Sequence, residues 1–455
     1  MSLNHVSAIG LTVMLLLTGC MESNDLEKED SDLTTAKESD DNVLGCTYAS
    51  ADNFQSNATV DDGSCSFEDA LEGEYYEGYA DGFSDGYDDG LMNGYSDGHD
   101  DAEAWAYSDG YDDGLMDGGY GSTLDAILER GYLICGVKSS QYGMGYQDDD
   151  GTFSGLDIEY CRAIAAAIGL DPDEDVEYIL ASGSNRFELL AYEEIDVLIR
   201  TTTWTTSRDA NLDADYAAVN FYDGQGILIN KDVFPGATSV YDLDGAKICV
   251  GIGTTTEGNL ADYFAVNNME YTAVNSDDAS VARQNFENGE CDAWTGDMSA
   301  MVAMKWFMIQ DGSADFEMAI MPELLSKEPL AAATRDYDTE WNEVVSWVWY
   351  GMLTAEELGI NSGNYEEAAA DCEGEWDDVY VCRLLTMNFG LGTSTNPLPH
   401  DWMQSVLATT GNYYEAYDTA FCDGDGQMSN CLIDRAGTAN APWWEGGLQY
   451  APPMR

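Results

Sequence analysis

The chain has 455 residues, of which 44% are hydrophobic, so a sizeable core is available. Its 17 basic against 86 acidic residues give a net charge of −69, which repels nucleic acid and anionic membrane surfaces and argues against a role on either. Such a bias suits a salt-rich medium that screens self-repulsion, or simply an acidic surface.

Residues Ala8 to Leu17 form an apolar run of signal-peptide length, too short for a stable membrane span. The run ends in Leu17-Thr-Gly-Cys20, which looks like a lipobox; in that reading residues 1–20 are a lipoprotein signal and Cys20 carries the lipid on the outer side of the cytoplasmic membrane. Met1 to Val6 holds no Lys or Arg, which departs from the usual signal and leaves a plain cleaved signal as the alternative. Setting Cys20 aside leaves ten of the eleven cysteines, an even number for an oxidising compartment. Close spacing suggests Cys46 with Cys65, Cys372 with Cys382 and Cys422 with Cys431. Cys135 with Cys161 and Cys249 with Cys291 complete the set, against the alternative of buried free thiols.

Residues 21–45 are acidic and polar with few apolar groups, and read as a solvated linker. Residues 46–67 resemble a small cysteine-bracketed module of surface proteins. The turn Asp61-Asp-Gly-Ser64 has oxygens suited to calcium, although a simple disulfide-closed loop is the preferred reading. Across 74–121 a repeat runs: Phe83-Ser-Asp-Gly-Tyr-Asp-Asp-Gly-Leu-Met-Asn-Gly94 recurs, nearly unchanged, from Tyr107 to Gly118. Small residues every fourth place fit a helical hairpin or self-associating stalk. The glycine content, which costs roughly 1 kcal/mol per residue in a helix, argues for a flexible or calcium-ordered linker as the alternative, with the helix the preferred reading.

From Ser122 onward short apolar strands such as Tyr132 to Val137 alternate with helical stretches such as Ile158 to Ile168, the pattern of an α/β fold. Two polar segments stand out. Arg200-Thr-Thr-Thr-Trp-Thr-Thr-Ser-Arg-Asp209 follows the strand-like run Ile195 to Ile199. An arginine fork with hydroxyls at a strand exit suits a carboxylate. Gly253-Thr-Thr-Thr-Glu257 follows Ile248 to Ile252 and opens the helix-like Asn259 to Phe264, where free backbone N–H groups also favour an anion. Two anion grips on two strand ends imply a cleft.

The order and spacing of seven motifs carry a family resemblance: Leu124 to Val137, Gly155 to Ala163, Thr201 to Asp209, Tyr222 to Gly226, Gly253 to Glu257, Ser326 to Leu330 and Gly447 to Arg455. Over roughly three quarters of its length the chain resembles the family 3 extracellular solute-binding proteins of ABC importers, within them the general L-amino-acid-binding branch. The resemblance implies a two-lobed, type II periplasmic-binding-protein-like fold. Lobe 1 would comprise 122–224 and 332–455, lobe 2 would comprise 225–331, and two crossings would form a hinge. Residue by residue, it places Arg208, Thr201 and Thr203 on the ligand α-carboxylate from lobe 1, Thr254 and Thr255 on it from lobe 2, and Asp297 on the α-ammonium group. For Arg208 alone a surface salt bridge is the alternative, and for Asp297 a helix cap. Candidate side-chain walls are Lys138, Tyr142, Trp204 and Trp294. The run Lys138 to Met144 departs from the family's glycine- and proline-containing loop, and aromatic residues at strand ends also serve ordinary packing.

The function implied is delivery of L-amino acids to a membrane permease, the lobes closing when a ligand bridges them. Two alternatives stand beside it, a cleft enzyme using a lone carboxylate and a sensory or adhesive surface protein. Against acid–base or metal chemistry, only His400 lies outside the signal and the repeat, since His5 and His99 fall within them.

Overall fold

A computed structural model describes residues 44–45, 60–61, 121–372 and 378–455. By its contacts the chain divides into two compact units, Met1–Tyr111 and Asp112–Arg455. In the first, strands β1 (Leu44–Gly45) and β2 (Val60–Asp61) pair in parallel. The signal with Cys20, the Cys46 and Cys65 pairing, the calcium turn beyond Asp61 and the repeat up to residue 120 lie outside the described residues.

The second unit is built on two five-stranded sheets. The first runs β7 (Val176–Leu180), β3 (Leu133–Val137), β8 (Val197–Leu198), β15 (Glu328–Arg335), β9 (Ala214–Asp223). Here β3 is parallel to β7 and β8, while β15 is antiparallel to β8 and β9. The second sheet runs β12 (Tyr271–Ser276), β11 (Ala246–Gly251), β13 (Ala293–Asp297), β10 (Gln225–Asn230), β14 (Met318–Ile320). The antiparallel β4 (Ser140–Gln141), β5 (Gly145–Gln147) and β6 (Phe153–Ser154) make a small third sheet on lobe 1.

Helices cover both lobes because their apolar residues fall on one stripe. In α8 (Thr339–Glu357) the buried set Trp341, Val344, Val345, Val348, Trp349 and Met352 follows the helical period, and the side chain of Asp338 accepts from the Trp341 N–H to start it. That stripe, with Tyr160 and Ile164 of α2 (Leu156–Ala167) and Trp402 and Val406 of α11 (Trp402–Thr409), forms the lobe 1 core. In lobe 2 the period is two. Ile227, Ile229, Ile248 and Val250 point to one layer, with Leu260 and Phe264 of α5 (Thr255–Val266). Leu228 and Cys249 point to the other, with Phe286 of α6 (Ala279–Glu287) and Met301 of α7 (Met298–Asp311).

Four of the expected disulfides are present: Cys135 with Cys161, Cys249 with Cys291, Cys372 with Cys382 and Cys422 with Cys431. The chain leaves lobe 1 at Gly224, between β9 and β10, and returns through β15. A side chain at 224 would meet the Ser326 carbonyl at 2.9 Å, so only glycine lets the two crossings lie this close. The return corrects the expected lobe boundary. Glu328 to Ala331 already pair with β9 of the first sheet, so lobe 1 resumes at Glu328 rather than at residue 332.

Candidate functional site

Between the lobes lies a cavity of about 330 Å³, within the size range of small-ligand sites. From lobe 1 it is lined by Lys138, Arg186, Arg200, Thr201, Thr203 and Arg208, and from lobe 2 by Thr254, Thr255 and Asp297 among others.

The segment after β8 is held in an unusual shape. Thr201, a β-branched residue, has φ 48°, a left-handed conformation costly for its type. Buried Asp157 holds it there, its carboxylate accepting from the Thr201 N–H at 3.0 Å and from Asn220 Nδ2 at 2.8 Å. Burial pushes the Asp157 carboxyl up to about 6 despite those donors. Two residues on, the Thr203 carbonyl accepts from Arg208 Nη1 at 2.9 Å and from the Tyr216 hydroxyl at 3.1 Å. Arg208 rides on the short helix α4 (Thr206–Asn211), whose N-cap Thr205 accepts from the Arg208 N–H, and its guanidinium lies 5.7 Å from the Phe187 ring centre.

Across the cavity, Gly253 turns with φ 67° and Thr254 caps α5, accepting from the Glu257 N–H at 3.3 Å and donating to the Gly251 carbonyl at 2.7 Å. Asp297 ends β13 and occupies the N-cap position of α7, yet its side chain makes no cap hydrogen bond. Asp223 takes that task, accepting from the Ser299 N–H at 3.2 Å. The Asp297 carboxylate is thereby left for the cavity. Burial raises its pKa while nearby Lys138 opposes the rise, and burial with the neighbouring Asp297 charge lifts Asp223 to about 7.

The lobes touch in several places. Gln141 Nε2 donates to Ser299 Oγ at 2.8 Å, and Arg186 reaches the Gly253 carbonyl at 3.4 Å. The buried Glu328 carboxylate, at the second crossing, accepts from Thr203 of lobe 1 at 2.5 Å and from Thr255 and Asn259 of lobe 2 at 2.9 and 2.8 Å, with Ser326 as a further donor. Thr203 and Thr255 therefore meet around one carboxylate that the chain itself supplies.

Of the four candidate side-chain walls, Lys138 lines the cavity. Its ammonium donates to Gln141 Oε1 at 2.8 Å, and burial, with the Arg200 charge, lowers its pKa to about 8. Trp294 borders the cavity but belongs to the lobe 2 core, 3% exposed and packed near Phe286. Trp204 and Tyr142 do not line the main cavity. Thr203 bridges to Leu330, so strand alternation turns Trp204 to the opposite face, where it stacks on Tyr216 with centroids 5.5 Å apart. Tyr142 stacks on Trp306 of α7 and lines a smaller adjoining cavity.

Two cations were not singled out from the sequence. Arg186 is 2% exposed, and burial with the Arg200 and Arg208 charges holds its pKa well below the usual guanidinium range. Burial lowers Arg200 to about 10, and the Nε atoms of both Arg186 and Arg200 have no hydrogen-bond partner. Nothing in the local pattern around Arg186 marks it; its role arises only where β7, β8 and β11 converge. Buried, incompletely satisfied guanidinium groups make the cavity suited to an anion.

The model of the bacterial extracellular solute-binding proteins, family 3, matches residues 133–302. The chain is 41% identical over 73% of its length, and 94% of the relative's, to the glutamate/glutamine/aspartate/asparagine-binding protein BztA of Rhodobacter capsulatus. It is 36% identical over 73% of its length, and 93% of the relative's, to the general L-amino acid-binding periplasmic protein AapJ of Rhizobium johnstonii. Among solved structures it is similar to a periplasmic binding protein from Brucella ovis with glutathione bound, at a TM-score of 0.67 and 38% identity, over 74% of this chain and 100% of that one.

Proposed function

Because the chain belongs to the bacterial extracellular solute-binding proteins of family 3, we propose that it is the extracytoplasmic substrate-binding component of an ABC importer, taking an L-amino acid between its lobes and presenting it to a membrane permease. The observation that carries this is the convergence of groups from both lobes on one cavity, Arg208, Thr201 and Thr203 against Thr254, Thr255 and Asp297. In this reading Arg208 holds the α-carboxylate and Asp297 the α-ammonium group. A ligand that engages both lobes stabilises the closed form only when present.

The preferred ligands are acidic amino acids. One α-carboxylate satisfies Arg208, which leaves Arg200 and Lys138 facing the same cavity, and a second carboxylate on the ligand side chain meets that excess. The name of the Rhodobacter relative includes glutamate and aspartate together with glutamine and asparagine, so acidic ligands fall within that relative's range without being singled out by it. Isothermal titration calorimetry with a panel of L-amino acids tests it: glutamate and aspartate bind most tightly, and a panel that produces no binding heat refutes the assignment. The bound ligand is released unchanged, so its recovery in altered form refutes the transport reading in favour of an enzyme.

Anchoring follows from the N-terminal pattern. In this proposal Cys20 becomes the lipid-bearing first residue of the mature chain and tethers it outside the cytoplasmic membrane. Mass spectrometry of the mature N-terminus decides the matter, an unmodified Cys20 ending the idea.

A further inference from the structure

Arg200 and Thr201 are neighbours in sequence, yet both line the main cavity, as does Thr203. Regular strand backbone turns adjacent side chains to opposite faces, so the alternation is broken here. The break shows in the register. Leu198 pairs with Ala333 and Thr203 bridges to Leu330, so five steps along this segment lie opposite three along β15. Two residues are extruded as a bulge, and Thr201, with its φ of 48°, sits in it. A threonine does not keep that conformation unaided, because its Cβ crowds the following carbonyl.

We propose that Asp157, which does not line the cavity, is the positioning residue of the carboxylate grip: it holds the Thr201 backbone left-handed and thereby sets the affinity for the ligand. The inference rests on the reading of that cavity as an amino-acid site. Asp157 is fully buried, and each of its carboxylate oxygens serves a different neighbour. Oδ2 accepts from the Thr201 N–H at 3.0 Å, outside the strand pairing, and Oδ1 accepts from Asn220 Nδ2 of β9 at 2.8 Å. A buried carboxylate is strongly unfavourable alone, and these two donors offset that cost.

Asp157 is itself fixed from the other side. Its N–H donates to the Met144 carbonyl at 3.0 Å at the start of α2. Gly155, at φ 118°, lies so close to Met144 that any Cβ there would collide with the same carbonyl. The carboxylate is thus delivered from a rigid helix start to the one N–H that shapes the bulge, and the bulge aims Arg200, Thr201 and Thr203 at a single cavity.

The test is calorimetry with L-glutamate on the full-length chain, in the parent and in a Thr201→Gly background, beside thermal unfolding of each ligand-free protein. Asp157→Leu fills a similar volume without an acceptor and weakens glutamate by about ten-fold in the parent. Glycine takes a positive φ at no steric cost, so in the Thr201→Gly background the same change weakens glutamate by less than about three-fold. A residue that merely supports the fold lowers the unfolding temperature alike in both backgrounds and gives no such difference in affinity. Asp157→Asn keeps an acceptor for the Thr201 N–H and stays within about three-fold of the parent. Asn220→Leu, which removes the partner that orients Asp157, covers the case in which Asp157→Leu fails to fold: it weakens glutamate more in the parent than in the glycine background. The role is refuted if Asp157→Leu binds as tightly as the parent, if the loss is equal in both backgrounds, or if Asn loses as much as Leu. If the parent binds no amino acid, the amino-acid assignment itself falls and the positioning role falls with it.

Discussion

Replacing Arg208 by Ala isolates the head-group grip. In the structure Arg208 is 8% exposed and lines the cavity, and its guanidinium donates to the Thr203 carbonyl at 2.9 Å. Truncating one partner of a buried, hydrogen-bonded charge pair costs about 2–5 kcal/mol. At about 1.4 kcal/mol per tenfold, a mid-range loss lowers affinity for L-glutamate by roughly two orders of magnitude. The loop itself has a second support, because the Tyr216 hydroxyl donates to the same Thr203 carbonyl at 3.1 Å and still holds it in the variant. Affinity therefore falls while the ligand-free unfolding temperature changes little, which separates a binding loss from a folding loss. Arg208→Lys keeps the charge but not the planar fork, and lies between parent and Ala. Calorimetry on the three proteins, with thermal unfolding of each without ligand, supplies both readouts. An Ala variant that binds glutamate as tightly as the parent refutes the placement of the α-carboxylate.

Lys138, lowered to about 8 by burial, is cationic below that pH and must take up a proton above it to meet a ligand carboxylate. Glutamate affinity therefore drops by up to about tenfold per pH unit above 8 relative to glutamine, whose amide needs no such charge; a ratio that stays flat between pH 7 and pH 10 refutes the pairing. Asp297 has its pKa raised by burial, and only its charged form pairs with the α-ammonium group, so affinity declines as pH is lowered through that raised value and is restored on going up. Asp297→Asn weakens every amino-acid ligand and flattens that acid limb in calorimetric titrations; an unchanged limb assigns the titration elsewhere. Glu328→Ala removes an acceptor shared by Thr203, Thr255, Asn259 and Ser326, so the ligand-free protein opens and its radius of gyration by small-angle X-ray scattering increases, an equal radius counting against the latch. Replacing Cys249 and Cys291 together by Ala removes a cross-link spanning 42 residues and costs about 4 kcal/mol by loop entropy, read as a lower unfolding midpoint in denaturant.

The parts of the site legible in the sequence are those written in one short segment. An apolar strand that ends in hydroxyls, or in a turn followed by a helix start, states its chemistry locally, which is why Thr201, Thr203, Arg208, Thr254 and Thr255 were recognisable and all line one cavity. Asp297 was legible through the family pattern, although its N-cap position argued for a different task that Asp223 performs instead. Trp204 misses the cavity for a reason of periodicity. Thr203 and Trp204 are neighbours, so in extended backbone they face opposite ways, and choosing the threonine for the cavity already sent the indole to Tyr216. Lobe 1 resumed earlier than expected because the Ser326 to Leu330 motif spans the change of lobe rather than preceding it, and its acid is what lies between the lobes. Glu328 is one of 86 acidic residues, and no local feature separates it from those on the surface. Its distinction comes from donors 125, 73 and 69 residues away in sequence, which reach it only once both crossings have formed. Burying a carboxylate without such donors would be strongly unfavourable. Its position is thus a consequence of long-range folding, and a residue whose environment is assembled from both lobes is invisible to any reading confined to a window of sequence.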